Sequence, residues 1–125
     1  MKYNSHHNQT NHRRLGMNQE ILACEFLKNN GYDIIESNFR CRVGEIDIIA
    51  ANEGYLCFVE VKYRKNKYSG YAAESVNIKK QQIILKVANF YYTRYKIPMS
   101  RPARFDVVAI DNNNISLIKN AFGGI

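Results

Sequence analysis

The stretch that decides the fold is GEIDIIAANEGYLCFVEVKYR, Gly44 to Arg64. It holds two apolar runs of strand length around Asn52-Glu53-Gly54, a tight-turn signal, and so reads as an antiparallel hairpin. Side chains along a strand alternate between faces. In the second run Leu56, Phe58, Glu60 and Lys62 therefore point one way, and Cys57, Val59, Val61 and Tyr63 the other. In the first run Glu45, Asp47 and Ile49 share a face opposite Ile46 and Ile48. Folding about a turn near residue 53 carries Asp47 to the side of Glu60, so two acids meet on one sheet face with a lysine next in line.

Two ionised carboxylates held together beneath a helix raise at least one pKa or cost several kcal/mol in repulsion and desolvation. A divalent cation removes that cost. Mg²⁺ takes oxygen ligands, commonly one or two carboxylates with water and substrate phosphate, whereas Zn²⁺ favours His and Cys ligands that this pattern lacks. Lys62 would bring an ammonium to a phosphate oxygen or to an attacking water. The combination is the chemistry of phosphodiester hydrolysis. The plain alternative is a half-exposed strand whose charges face solvent, since an ExK tripeptide alone is common. Asp47 at hairpin spacing tips the balance toward a site. Glu45 also reads as a charge at the start of its strand.

Outward from the hairpin, YDIIESNF (32–39) reads as a preceding strand, which makes a three-stranded antiparallel meander. Before it, Met17, Ile21, Cys24 and Leu27 follow helical spacing from about Leu15 to Asn30, and Gly31 stands where a left-handed C-terminal cap belongs. Glu20 lies at the edge of that apolar stripe, on the side of Ala23 and Leu27. Residues 1–14 lack periodicity and read as a disordered tail ahead of a single domain, 15–125. The tail's His6, His7 and His12 have no organised metal partner and read as part of a polar leader.

After the hairpin, RKNKYSGYAAES (64–75) reads as a basic, tyrosine-bearing loop. Asn77 is a candidate N-cap for a second helix whose face is marked by Ile84, Val87, Ala88, Tyr91 and Tyr95, and which Pro98 ends. RFDVVAI (104–110) and ISLIKNAF (115–122) are two further strands joined by a turn at DNNN. The order is αβββαββ, an α/β domain with helices laid against a sheet.

The net charge of +7 is unevenly spread. Residues 61–104 hold eleven Lys and Arg against one acid, while the chain on either side is slightly acidic. Such a patch suits a polyanion, because each phosphate contact releases counterions, although a solvated surface kept soluble by charge has the same composition. The three cysteines, Cys24, Cys41 and Cys57, are odd in number and sit in apolar segments, which favours reduced thiols. No apolar run approaches the roughly 20 residues needed to span a bilayer, and a cytoplasmic protein without membrane association is expected.

GYDIIESNFRCRVGEIDIIA, FVEVKYR, the helix beginning near KKQ (79–81) and RFDVV together resemble the bacterial YraN family over about residues 15–122. The same core is similar to archaeal Holliday-junction resolvases and other PD-(D/E)xK nucleases. The resemblance implies a restriction-endonuclease-like three-layer fold, with a mixed central sheet flanked by helices. It implies a Mg²⁺-dependent DNA endonuclease, with Mn²⁺ as a substitute, acting on branched DNA such as Holliday junctions or flaps. Asp47, Glu60 and the carbonyl of Val61 would hold the metal, with Glu20 as a further ligand, and Lys62 would orient or deprotonate the water. Gln19 departs from the glycine many relatives carry before that glutamate.

Arg64, Lys65, Lys67, Lys79, Lys80 and Gln81 would grip nucleic acid, mostly through its backbone. Tyr68 and Tyr71 could stack on exposed bases, or be ordinary surface tyrosines. Arg104 and Asp106 read as structural, with phosphate contact as the alternative for Arg104. Symmetric cutting of a junction calls for paired sites and hence a homodimer. The rival function is a non-catalytic nucleic-acid-binding module with a nuclease-like fold, acting in repair or replication complexes.

Overall fold

Seven elements follow in the expected order: α1 (Asn11–Asn29), β1 (Asp33–Cys41), β2 (Gly44–Asn52), β3 (Tyr55–Arg64), α2 (Ile78–Arg94), β4 (Ala103–Asp111) and β5 (Asn114–Ile118). The structure is a computed structural model that describes residues 11–64, 76–111 and 114–123. The hairpin strands and the Asn77 cap fall where the patterning places them. The side chain of Asn77 accepts the N–H of Lys80 at 2.8 Å. Helix α1 begins at Asn11, four residues before the expected Leu15. Backbone helicity extends ahead of the apolar stripe there, where Arg13, Arg14 and Leu15 are good helix formers and offset Gly16. Strand β5 stops at Ile118, short of the expected Phe122. Asn120 turns the chain at φ 55, and its N–H donates to Asp106 Oδ1 at 2.8 Å.

The five strands lie in the order β1-β2-β3-β4-β5. All neighbours are antiparallel except β3 and β4, which are parallel and joined through α2. The sheet is therefore mixed, and its two faces are covered by different helices. On one face Ala23 and Leu27 of α1 pack with Ile48, Ala50, Cys57, Val59, Val108 and Ile110. On the other, Ile84, Val87, Ala88, Tyr91 and Tyr92 of α2 pack with Phe39, Ile49, Phe58, Phe105 and Val107. Burial on both sides explains why Val107 to Ile110 of β4 reads as a continuous apolar run rather than an alternating one. Tyr91 sets its ring edge-on to Phe39 at 5.0 Å and Phe58 at 5.8 Å, tying α2 to β1 and β3.

Each helix ends in the same hydrogen-bonded cap. After α1, the Tyr32 N–H reaches Leu27 O and the Gly31 N–H reaches Lys28 O, with Gly31 at φ 87. After α2, the Ile97 and Lys96 N–H groups reach Tyr92 O and Thr93 O, and the left-handed residue is Lys96, at φ 52. A side chain there is strained by contact between its Cβ and the backbone.

The sheet forks where the candidate site lies. The β2–β3 ladder runs from Asn52↔Tyr55 to Ile48↔Val59 and stops. Beyond it β2 continues beside β1 alone, to Gly44↔Cys41, while β3 continues beside β4, to Arg64↔Asp111. At the fork the alternation of β2 breaks: Ile48 packs under α1, whereas Ile46 joins Ile49 in the α2 cluster. The expectation that Ile46 and Ile48 share a face is corrected accordingly. The cause is visible across the ladder, where Asn38 of β1 takes a left-handed φ of 57 between the pairs Ser37↔Ile48 and Phe39↔Ile46. Both strands rotate at this point, and the hairpin end folds onto α2. Gly44 lies so close to that helix that a Cβ would stand 2.6 Å from Ile83 Cγ2 and 3.2 Å from Val87 Cγ2.

Two stability outcomes follow, both read from urea unfolding midpoints at constant slope. Lys96→Gly is expected to stabilise the protein by about 0.5–1 kcal/mol, by relieving the left-handed strain. Gly44→Ala is expected to destabilise it by about 1–3 kcal/mol, because the added methyl overpacks the hairpin against α2.

Candidate active site

The fork places Asp47 at the next step of the register after Ile48↔Val59, opposite Glu60. With the ladder ended, the N–H of Val61 has no strand partner in β2, and the Asp47 carboxylate supplies one: Val61 N–H donates to Asp47 Oδ2 at 2.8 Å. A side chain thus replaces a rung of the ladder. Burial and the neighbouring Glu60 charge push the Asp47 carboxyl up to about 7, against the pull of the Val61 N–H, with smaller contributions from Glu20 and Glu45. The expected convergence of Asp47 and Glu60 on the β2–β3 hairpin is what this environment reflects.

Glu60 is 6% exposed and faces the α2 side with Phe58. Its Oε2 lies 3.2 Å from the Lys80 ammonium, which reaches down from the first turn of α2. Lys62, two residues on, is half-buried. Glu20 does not enter a tight acidic group with Asp47 and Glu60; its Oε1 accepts from Asn38 Nδ2 at 2.8 Å. A row of polar groups therefore crosses the sheet from α1 to α2 through Glu20, Asn38, Asp47, Glu60 and Lys80. Glu45 stands apart at the hairpin end, paired with Arg40 at 2.9 Å.

Among the described residues, no three of His, Cys, Asp or Glu converge enough to hold a metal ion by themselves. A Mg²⁺ ion does not require three, since it retains several waters and is commonly held by one or two carboxylates. Asp47 and Glu60 fit that requirement chemically. They are two hard oxygen donors, and burial together with the Glu60 charge raises the proton affinity of Asp47.

The residues assigned to nucleic acid divide. Lys79 is exposed on the first turn of α2, and Arg64 closes β3. Lys80 is committed to Glu60, and Gln81 Nε2 donates to Val76 O at 2.9 Å, where it holds the chain entering α2. Lys65, Lys67, Tyr68 and Tyr71, like His6 and His7, lie outside the described residues. The basic loop's contribution therefore rests on the sequence alone.

Asn38 was not singled out as a site residue, and Lys80 was read as a nucleic-acid contact rather than as the partner of Glu60, although each carried a signal. Asn38 sits inside a strand, and Asn tolerates the left-handed region better than other residues with a side chain. Lys79 and Lys80 occupy the first turn of a helix, where the macrodipole disfavours cations.

A second polar cluster lies at the other end of β3 and β4. Asp106 is fully buried and accepts from Arg104, from the Tyr32 hydroxyl at 2.7 Å and from the Asn120 N–H. Arg104 also donates to Asn52 Oδ1 at 2.7 Å and to Glu53 Oε1 at 3.3 Å. Every buried charge here has its partners, and the cluster locks the β2–β3 turn to β4. Arg104 is thus structural. Burial, reinforced by Asp106, pushes the nearby Cys57 thiol up to about 12, so it is a poor nucleophile, and all three cysteines are free.

The comparisons with known proteins agree with this architecture's extent. A model of "Uncharacterised protein family UPF0102" matches residues 19–110, from the first helix to the end of β4. The chain belongs to this family. A UPF0102 protein of Lachnoclostridium phytofermentans is 48% identical over 107 residues, covering 86% of this chain and 91% of its own length. One of Acetivibrio thermocellus is 46% identical, covering 92% and 95%, and one of Persephonella marina is 47% identical, covering 86% and 91%. The YraN resemblance drawn from the motifs leads to the same UPF0102 assignment. The matched span includes Glu20, Asp47, Glu60, Lys62 and Lys80. No helix among the described residues is long and apolar enough to cross a membrane.

The raised Asp47 carboxyl has a signed consequence for stability. Between about pH 4 and pH 7 the folded protein holds a proton at Asp47 that the unfolded chain releases, so this group's contribution falls as pH rises through that window. Asp47→Asn, in metal-free buffer, is expected to be more stable than wild type by on the order of 2 kcal/mol at pH 8 and equal to it near pH 4. Urea unfolding of both proteins across that range measures the difference.

Proposed function

We propose that the chain is a Mg²⁺-dependent endodeoxyribonuclease with a restriction-endonuclease-like fold, hydrolysing phosphodiester bonds in DNA, with branched DNA as its preferred class. The observation that carries the reading is the meeting of Asp47 and Glu60 in a forked sheet, with Lys62 next along the strand. A buried carboxyl whose proton affinity is raised by burial and by the acid beside it forms, with that acid, a site whose repulsion a dication relieves. The mixed sheet with a helix on each face agrees with the three-layer arrangement such nucleases share, and the chain's basic excess falls in residues 61–104, which follow Glu60 directly in sequence.

In this reading Asp47, Glu60 and the Val61 carbonyl hold the ion, with Glu20, fixed by Asn38, as an outer ligand. When bound, Mg²⁺ supplies Lewis-acid stabilisation of charge on the phosphate and lowers the pKa of water. The Val61 N–H keeps the Asp47 carboxylate from rotating away. Lys62 donates to a non-bridging phosphate oxygen or positions the attacking water for in-line displacement, leaving a 5′-phosphate. Lys79, Arg64 and the basic loop hold the DNA backbone, with little reading of sequence.

A second reading, a DNA-binding module without turnover, is favoured by one feature: Glu60 already has a cationic partner in Lys80. Purified protein on labelled branched and linear DNA, with Mg²⁺ or Mn²⁺, separates the two. Cleavage is expected with either metal and to fall at least about 100-fold in Asp47→Ala and Lys62→Ala, while salt-dependent binding persists. Binding without cleavage on every substrate would select the module. Cleavage that persists in both variants would place the chemistry elsewhere.

A further inference from the structure

Glu60 is buried and charged groups in such places need compensation. Among the described residues the cation that provides it is Lys80, at 3.2 Å. The position of that lysine is locally unfavourable. It is the third residue of α2, in the turn where backbone N–H groups present positive charge, and its neighbour Lys79 is also basic with no acid in the turn. A local rule broken on a helix end that abuts the candidate site calls for a gain elsewhere. The contact with Glu60 supplies it. The Lys80 side chain is also about two-fifths exposed, so the ammonium has a solvated alternative position at little steric cost.

We infer that Lys80 is the exchangeable counter-ion of the Asp47–Glu60 site: its ammonium neutralises Glu60 while no divalent cation is present and withdraws when one binds. The inference rests on the divalent-cation reading above and goes beyond it, by giving the site a built-in competitor. A monovalent charge about 3 Å from a ligand oxygen opposes a second cation there, and the opposition is strong because the carboxylate is buried. Lys80 thereby changes from a backbone-gripping lysine into one that sets how much metal the site needs. Withdrawn from Glu60, it joins Lys79 on the solvent side of the first turn of α2, free to meet a phosphate.

The test is calorimetric titration of the full chain with Mn²⁺ alone, in low salt, for wild type, Lys80→Met, Lys80→Arg and Lys86→Met. Lys86 is an exposed lysine on the same helix and controls for net charge. Lys80→Met is expected to bind Mn²⁺ about tenfold more tightly than wild type, with Lys80→Arg and Lys86→Met close to wild type. A Lys80→Met affinity equal to or weaker than wild type overturns the inference and leaves the metal site standing. An equal gain in Lys86→Met also overturns it, as a general charge effect. Absence of Mn²⁺ binding in every protein removes both the inference and the metal reading.

Thermal unfolding in EDTA gives an independent arm. Lys80→Met is expected to melt several degrees below wild type, and the double variant Glu60→Gln with Lys80→Met to recover most of the loss. A Lys80→Met protein as stable as wild type in EDTA would show that Glu60 does not depend on this ammonium, and would overturn the inference.

Discussion

The hydrogen bond from the Val61 N–H to the Asp47 carboxylate closes a seam that the backbone leaves open. Where β2 and β3 separate, a buried strand edge would carry an unpaired donor, at a cost comparable to a lost hydrogen bond. A side chain satisfies it instead, and in doing so is fixed beside Glu60. Structure and candidate chemistry share one contact. The same carboxylate that ends the ladder is the one whose proton affinity is raised toward neutrality.

The fork depends on constraints on both sides of it. Toward α2, the hairpin end is drawn in by Phe39 and Ile46 and seated through Gly44, where only a missing Cβ allows the approach to Ile83 and Val87. Toward the opposite end of β2, the Arg104–Asp106 cluster holds the β2–β3 turn to β4 and Tyr32. β2 is thus gripped at one end, through its turn into β3, and drawn onto α2 at the other, through its hairpin with β1. Between these the strands part, and the polar row from Glu20 to Lys80 occupies the gap.

The two polar clusters illustrate two uses of buried charge. In the Arg104 cluster donors and acceptors are matched, and nothing is left to recruit a ligand. At the fork the acids outnumber their cation: Lys80 meets Glu60, while Asp47 retains a carboxyl that is reluctant to ionise. An imbalance of this kind, held by rigid strands, is what distinguishes a site from a structural network.

Much of this was legible in the residues. Alternation, the Asn52–Gly54 turn and apolar spacing determine the strands, the helices and their order, and hairpin arithmetic alone carries Asp47 to Glu60, because register in a two-residue turn is set by the turn itself. The family follows from motifs spread over most of the chain. Three things were decided only by tertiary structure. The break in alternation at Ile46 arises from Asn38 and Asp47 acting across two strands, and a period of two cannot announce its own interruption. The partner of Lys80 lies 20 residues away on another element, and charge counts do not say which acid a lysine meets. Glu20 points to Asn38 rather than into the carboxylate pair, since its direction is set by how α1 settles on β1. Local patterning chooses elements and faces; where packed elements bend, and which charges meet, depends on the sum of contacts in three dimensions.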